Sequence, residues 1–464
     1  MERTLTVTGE LASLFETIVG PEWIRRDPVA LLAYGTDALR KSYAAGLVVL
    51  PANTAEVSAI ARRCHELGVP LVVRGAGTGY TGGAVPVRGG VVLSLERLNR
   101  ILEIDEENLL AVVEPNVITG DLQQAVERVG LFYPPDPASL HQSAIGGNVA
   151  ECAGGPRAFK YGTTKRYVLG LEAVLPSGEI IRTGSKAVKN VVGYDLTQLL
   201  VGSEGTLAII TQVILRLVPK PPVQITLRAT FTDVEGAVRA VTELIRRRVV
   251  PATIELIDRE SLAAVTRYLG TGLAPPNTGA VLLIEVDGLA SGVLEEADRV
   301  ADACRVAGTT ELLRAEDAAA RDDLWRIRRE LSPSLRTVAA LKINHDVVVP
   351  RGRVPQLFDL VARLRDEHSL TIPCFGHAGD GNIHVNIMLD PEDRDALARA
   401  RVAERRLFEG VVALEGSITG EHGIGFSKAP FLGIELSEDV IDLMKRVKHA
   451  FDPKGILNPG KIFP

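Results

Sequence analysis

The stretch Gly376-His377-Ala378-Gly379-Asp380-Gly381-Asn382-Ile383-His384-Val385-Asn386 carries two of the eight histidines of this 464-residue chain, seven positions apart across a glycine-rich turn. Ile383 to Met388 has the β-branched and apolar content of a strand. Side chains alternate along a strand, so His384 and Asn386 are expected on one face. Further on, Gly420-Glu421-His422-Gly423 sets a carboxylate and another imidazole between glycines. Two imidazoles and a carboxylate suit a divalent transition metal with positions left open for substrate. Asp380, beside glycines, is expected to shape the turn. His141 and His345 read as structural residues on strands, His368 and His449 as solvent-facing, and His65 as a surface residue.

A chain of this length exceeds one ordinary core and should divide into two or more domains. Its 46% hydrophobic and 24% charged residues are those of a soluble globular protein. Net charge is −6 with no long basic run, which argues against a nucleic-acid partner. Met1 to Val7 lacks the apolar core of a signal peptide, and no uncharged apolar run reaches the ~20 residues of a membrane span. Cys64, Cys152, Cys304 and Cys374 lie far apart without a Cys-x-x-Cys pair. That speaks against a disulfide framework and against an iron–sulfur cluster held by this chain alone. The expected setting is the cytoplasm, or the inner face of a membrane reached through a partner.

The elements that must position such chemistry begin with helical spacing at Leu11, Leu14, Phe15 and Ile18. A strand from Leu47 to Leu50 follows, then a capping-box pattern at Asn53 and Glu56 opening a helix that ends at Gly68. The next strand, Val69 to Val73, runs into Arg74-Gly75-Ala76-Gly77-Thr78-Gly79-Tyr80-Thr81-Gly82-Gly83. Gly77 to Gly82 matches the G-x-G-x-x-G dinucleotide pattern, but Pro86, Gly89 and Gly90 follow where a Rossmann helix must begin, so that reading fails on context. A glycine loop can instead bind phosphates with a nest of backbone N–H groups; the alternative is a flexible hairpin loop. Pro134-Pro135-Asp136-Pro137-Ala138-Ser139 reads as rigid loop. The small residues from Ile145 to Gly155 read as backbone that approaches a large flat ligand closely.

These motifs resemble the FAD-binding domain of the vanillyl-alcohol oxidase superfamily, as do Lys189 to Asp195 and Leu200-Val201-Gly202-Ser203-Glu204-Gly205-Thr206-Leu207. The nearest likeness is the branch of D-lactate dehydrogenases, D-2-hydroxyglutarate dehydrogenases and the flavin subunit of glycolate oxidase, which Phe451 to Lys461 also matches. The likeness covers nearly the whole chain, with several independent motifs in the family's order. It implies an α+β protein: a two-part FAD-binding domain of the p-cresol methylhydroxylase (PCMH) type and a ferredoxin-like cap. The implied division is an N-terminal helical segment at 1–42, an FAD domain at 43–221, a substrate-binding cap at 222–412 and a returning segment at 413–464. The resemblance lays the FAD pyrophosphate over Arg74, Gly75, Ala76, Gly77, Thr78 and Gly79. It sets Pro135, Asp136, Ser139, Gly146, Gly147, Asn148 and Gly154 along the rest of the nucleotide, Glu204, Gly205 and Ile210 on the adenine side, and Asn458 toward the isoalloxazine. No histidine or cysteine lies between Arg74 and Gly83, so the FAD is expected to be non-covalent.

Beyond Pro219, Pro221 and Pro222, two strand–helix–strand units (223–257 and 280–313) predict an antiparallel sheet with helices on one side. The arginine-rich helix Leu324 to Leu331 reads by itself as a solvated face. By resemblance Arg328 receives the substrate carboxylate, a task suited to guanidinium, and Lys342 assists from the next strand. The family also implies that His377, His384 and Glu421 hold zinc or manganese, with Asn386 contacting substrate and His422 as general base. The activity implied is metal-assisted oxidation of a small D-2-hydroxy acid, of the D-lactate or glycolate class, with hydride passing to flavin N5. The alternative is the catalytic flavin subunit of a glycolate oxidase complex, passing electrons to an iron–sulfur partner. Implied partners are an electron-acceptor protein or a quinone-linked partner, and a second copy in a homodimer. Rival readings are a nicotinamide-dependent reductase on the same flavin fold, which needs no metal trio, and a non-catalytic flavin or metal carrier.

Overall fold

A computed structural model of the chain describes residues 9–463, so Met1 to Val7, whose lack of a signal-peptide core is noted above, lies outside the described residues. The chain forms two compact units. Of the described residues, one unit comprises 9–154, 163–220 and 421–463; the other comprises 155–162 and 221–420.

The first unit holds strands β1 (Ile24–Arg25), β2 (Leu47–Val49), β3 (Leu71–Arg74) and β4 (Val91–Ser94) in a four-stranded sheet ordered β1-β2-β4-β3. β5 (Ile101–Asp105), β6 (Leu110–Val113), β8 (Val168–Val174), β9 (Ile180–Gly184) and β10 (Ile209–Arg216) form a separate antiparallel sheet ordered β5-β6-β10-β8-β9. β7 (Leu131–Phe132) pairs with β11 (Val218–Pro219). The helix Thr54–Leu67 starts as the sequence predicts: Asn53 Oδ1 accepts from Glu56 N at 3.0 Å, and left-handed Gly68 (φ 68°) ends it. Its stripe Val57, Ile60, Ala61 and Cys64 packs with Leu11 and Phe15 of the helix Gly9–Val19 onto Leu47, Leu71, Val91 and Leu93. The returning segment adds Ile456 and Leu457 to this core, with Leu457 bridged in parallel to Leu71. β3 and β4 are parallel neighbours. A hairpin would make them antiparallel, so the glycine loop between them is a crossover.

The second unit is one antiparallel sheet of seven strands: β12 (Val223–Phe231), β13 (Thr253–Asp258), β14 (Ala280–Gly288), β15 (Glu311–Ala315), β16 (Leu341–Val348), β17 (Cys374–His377) and β18 (Asn382–Leu389). Their order is β15-β12-β14-β13-β17-β18-β16. The first four have the 4-1-3-2 order of the ferredoxin-like motif, and the other three extend it from the β13 edge. Helices cover both faces, not one as the sequence predicts. Val234–Arg246 and Ala290–Val306 lie on one side. Arg259–Leu269, Ala318–Arg329 and Leu331–Val338 pack on Ile257, Val281, Leu283 and Phe375 of the other. Every residue of β13 and β18 is buried in consequence, including the polar Glu255, His384 and Asn386 that alternate with apolar neighbours along these strands. No helix among the described residues is long and apolar enough to cross a membrane.

Candidate active site and cofactor cradle

In the second unit the strand register brings the chemistry together. β17 and β18 form a hairpin in which His377 faces Asn382 and Phe375 faces His384. The turn requires glycine at 381, where φ is +87° and a Cβ would sit 2.0 Å from the Val349 carbonyl oxygen. Asp380 shapes the same turn, its Oδ1 accepting from Asn382 N at 3.3 Å. The His377 and His384 rings meet edge-on with centroids 5.3 Å apart, and both residues are buried. Each histidine has a carboxylate directly opposite on the neighbouring strand: Glu255 faces His377 and Asp346 faces His384. Directly opposed residues share a face with their Cβ atoms about 5 Å apart. Glu255 Oε1 bonds His377 Nδ1, and Glu255 Oε2 accepts from Arg328 Nε. Burial alone would raise the Glu255 pKa, but His377 and Arg328 outweigh it and hold the carboxyl well below its ordinary range. Asp346, fully buried, accepts from Thr419 Oγ1 and from the backbone N–H of Gly420 at 3.0 Å. Glu421 is the next residue in the chain.

Arg328, at the end of the helix Ala318–Arg329, lies over the Phe375 ring at 4.9 Å and, among the described residues, hydrogen-bonds through its Nε–H to Glu255 and not through its terminal NH₂ groups. Lys342 stands on β16 opposite Met388. Asn386, expected to contact substrate, is held by its neighbours in this structure. It is fully buried, its Nδ2 donates to the carbonyls of Pro373 and His384, and its Oδ1 accepts from Asn344 Nδ2 at 2.7 Å. The amide braces the strand that carries His384.

In the first unit the glycine loop is held from beneath. Arg74 Nη1 donates to the carbonyls of Tyr34 and Thr36, and its guanidinium occupies the space a Cβ at Gly77 (φ +69°) would take. Arg74 therefore braces the loop. Gly75 lies against the start of the helix Ile145–Glu151, a Cβ there reaching Ala144 Cβ at 3.4 Å, Asn116 Oδ1 at 3.9 Å and Gly147 N at 3.9 Å. The small-residue run opens with a seven-residue helix, Ile145–Glu151. Asn148 turns inward from it to Thr119 Oγ1. Gly79 and Gly147 both face open space, and the buried Asn116 Oδ1 near Gly75 has no hydrogen-bond partner among the described residues. Those features fit a group bound against backbone. Pro135 contributes its carbonyl to Gln123 Nε2, Ser139 caps the turn that precedes Ser143, and Asp136 is half-buried. Ile210 is a core residue of β10.

The returning segment is clasped by side chains assigned above to the cofactor. Glu204 (φ +53°) accepts the N–H groups of Ile424 and Gly425 on its two oxygens, at 2.8 and 2.6 Å. Burial raises its pKa, and those two N–H groups oppose the rise. Asn458 Nδ2 donates to the Gly83 and Glu204 carbonyls, and Lys461 Nζ donates to the Val85 carbonyl. Gly205 (φ +64°) leaves room for the Asn458 amide at 3.8 Å. His422 stacks on Tyr80 with centroids 5.2 Å apart and accepts Thr81 Oγ1–H on its carbonyl. Gly154 makes space for the Glu421 carboxylate, which a Cβ would approach to 2.7 Å. Lys189 to Asp195 stands out from the surface, with Val191, Val192 and Tyr194 more than nine-tenths exposed.

Residues 45–184 match the model of an FAD binding domain, and residues 220–462 match that of the C-terminal domain of FAD linked oxidases. The chain belongs to the FAD-linked oxidases. Glycolate oxidase subunit GlcD of Bacillus subtilis (strain 168) is 42% identical over 458 residues, 98% of this chain and 97% of that relative. A D-lactate dehydrogenase of Anaerostipes hadrus is 36% identical over 423 residues, 90% of this chain and 89% of its own. Among solved structures, p-cresol methylhydroxylase with substrate bound is similar with a TM-score of 0.82 at 18% identity, covering 98% of this chain and 97% of that one. This FAD-linked oxidase is an oxidoreductase whose cofactor domain has the PCMH-type fold expected from its motifs.

Three residues of this FAD-linked oxidase escaped the sequence reading: Glu255, Asp346 and Asn116. Glu255 is 122 positions from its histidine and sits in a wholly buried strand, Thr253–Asp258, where a buried acid signals a partner elsewhere. The His345-Asp346 pair inside β16 carried the same signal. Of the other histidines, His141 is exposed in a turn and not on a strand, whereas His345 is buried 3.0 Å from Glu404.

Proposed function

We propose that this chain oxidises a small D-2-hydroxy acid of the D-lactate or glycolate class to the 2-oxo acid, with FAD as electron acceptor and a divalent zinc or manganese ion assisting. The reading is carried by the two buried histidines that each face an in-register carboxylate, an arrangement that fixes metal-ligating imidazoles. The names of the full-length relatives, a glycolate oxidase subunit and a D-lactate dehydrogenase, support the substrate class. His377, His384 and Glu421 offer one ligand atom each, and two nitrogens with one oxygen suit zinc or manganese. When bound, the ion would polarise the C2 hydroxyl, and the flavin would take up the C2 hydride.

The chain's own residues do the rest. Arg328, anchored through Nε, presents its terminal NH₂ groups to the substrate carboxylate, with Lys342 adding positive charge from β16. His422 takes the hydroxyl proton as general base. Its ring is steadied by the Tyr80 stack, and its backbone by Thr81 and by the Glu204 grip on the two residues beyond Gly423. Gly75 to Gly79 and Gly147, where small residues leave backbone exposed, would hold the phosphates of the FAD. Electrons then leave to an acceptor. The four cysteines are free and three are buried, so an iron–sulfur acceptor would be a separate chain. The second reading, a flavin subunit of a glycolate oxidase complex, is favoured by the word subunit in the names of two relatives.

The test is anaerobic addition of D-lactate, L-lactate, glycolate and D-2-hydroxyglutarate to the FAD-loaded protein, with metal analysis of the same sample. Rapid bleaching by D-lactate or glycolate is expected, with no response to L-lactate. Bleaching by NADPH alone, or by none of the acids, would overturn the proposal.

A further inference from the structure

We infer that Glu255 is a positioning residue that couples the metal ligand His377 to the substrate arginine Arg328, setting imidazole and guanidinium from a single buried carboxylate. The inference rests on the metal and substrate roles proposed above. Glu255 lies at the centre of β13, its side chain without solvent exposure, and its two oxygens are divided between His377 Nδ1 and Arg328 Nε. An ionised carboxylate only accepts, so Nδ1 of His377 must carry the hydrogen, which leaves Nε2 with a lone pair for a metal. The same charge fixes Arg328 through its Nε edge, so its forked end is left to meet a planar anion. Phe375 forms the floor, packed under Arg328 at 4.9 Å and against the His384 ring at 5.4 Å. Removing the acid would leave a buried guanidinium uncompensated and let the imidazole change tautomer.

Glu255→Gln tests the point because it keeps shape and fold but offers one acceptor where two are used. Zinc affinity of the metal-free protein, read by competition with a chromophoric chelator, should fall by about 10–100-fold. KM for the hydroxy acid should rise together with it. Arg328→Met should raise KM and leave zinc affinity within about twofold, because the carboxylate still holds His377. Nitrogen-15 spectra of histidine-labelled wild-type protein should find His377 as the Nδ1–H tautomer before any metal is added, a readout that needs no variant. Unchanged zinc affinity in Glu255→Gln, or an Nε2–H tautomer at His377, would overturn the coupling even where His384→Ala abolishes zinc binding and so upholds the metal site. Should the wild-type protein bind no zinc or manganese at all, the metal reading fails, and the tautomer alone then decides the role of Glu255.

Discussion

Two glycine-rich turns in this protein do opposite work. The 74–83 loop crosses between parallel strands and offers backbone: Gly79 faces empty space, and nearby side chains such as Arg74 are spent holding the loop. The 376–382 turn joins antiparallel strands and offers side chains, with His377 and His384 set by register against Glu255 and Asp346. A ligand that is long and mostly phosphate and ring can be met by bare peptide. A small hydroxy acid and an ion need directed donors, and directed donors need supporting acids.

The sharpest way to break that contrast is to add one methyl group to a glycine of each kind. Gly381→Ala puts a Cβ at φ +87° and 2.0 Å from the Val349 carbonyl oxygen, against backbone that cannot swing away as a side chain could. Strain of about 1–3 kcal/mol for the φ alone, plus the overlap, should lower the thermal midpoint by 10 °C or more, or prevent folding. Gly147→Ala meets nothing within 4 Å and sits in a helix, so the apoprotein should be as stable as wild type or slightly more so. FAD affinity of Gly147→Ala should nevertheless drop at least about tenfold, measured by flavin fluorescence on titration, because the methyl occupies cofactor space. Equal FAD affinity would remove Gly147 from the cradle.

A middle-sized effect separates bracing from substrate contact. Asn386 makes three hydrogen bonds in a fully buried position. Asn386→Ala should cost about 2–4 kcal/mol of stability, since the Asn344 amide and two carbonyls lose partners. Urea midpoints measure this directly. If the variant keeps its stability while KM rises by tenfold, Asn386 is a substrate contact after all.

The same contrast explains what could be read from sequence. Glycine at 75, 77 and 79 announces exposed backbone locally, and the alternation of His384 and Asn386 on one strand is a local rule, so both stretches were legible. Helix caps such as Asn53 with Glu56 are local too. Glu255 and Asp346 matter only once β13, β16, β17 and β18 are in register, and register is a property of the whole sheet. Asn458 and Glu204 sit in motifs that resemblance ties to the cofactor. Their buried polar atoms are engaged by carbonyls and N–H groups of segments hundreds of residues away, a pairing no spacing announces. Helices on both faces of the large sheet were missed because the repeated strand–helix–strand pattern accounts for one face only, and the helices after β13 and β15 supply the other.

The smallest expected effect compares one buried ionisable group from each unit. Asp258 caps the helix that follows β13 through Ser261 N and also accepts from Cys374 N, and burial pushes its carboxyl up to about 6. Between its ordinary value near 4 and 6 the folded chain binds the extra proton, so this group makes stability fall as pH rises through that window. Lys461 is buried in the first unit with its ammonium on the Val85 carbonyl, and burial brings it down to about 8. Between 8 and its ordinary value near 10.5 it is the unfolded chain that binds the extra proton, so stability rises with pH there. Each slope should amount to at most about 1.4 kcal/mol per pH unit within its window. Urea midpoints at half-unit pH steps should find the first slope flattened in Asp258→Asn alone and the second in Lys461→Met alone. Loss of both slopes in either variant would mean that the two units titrate as one and that the groups do not act separately.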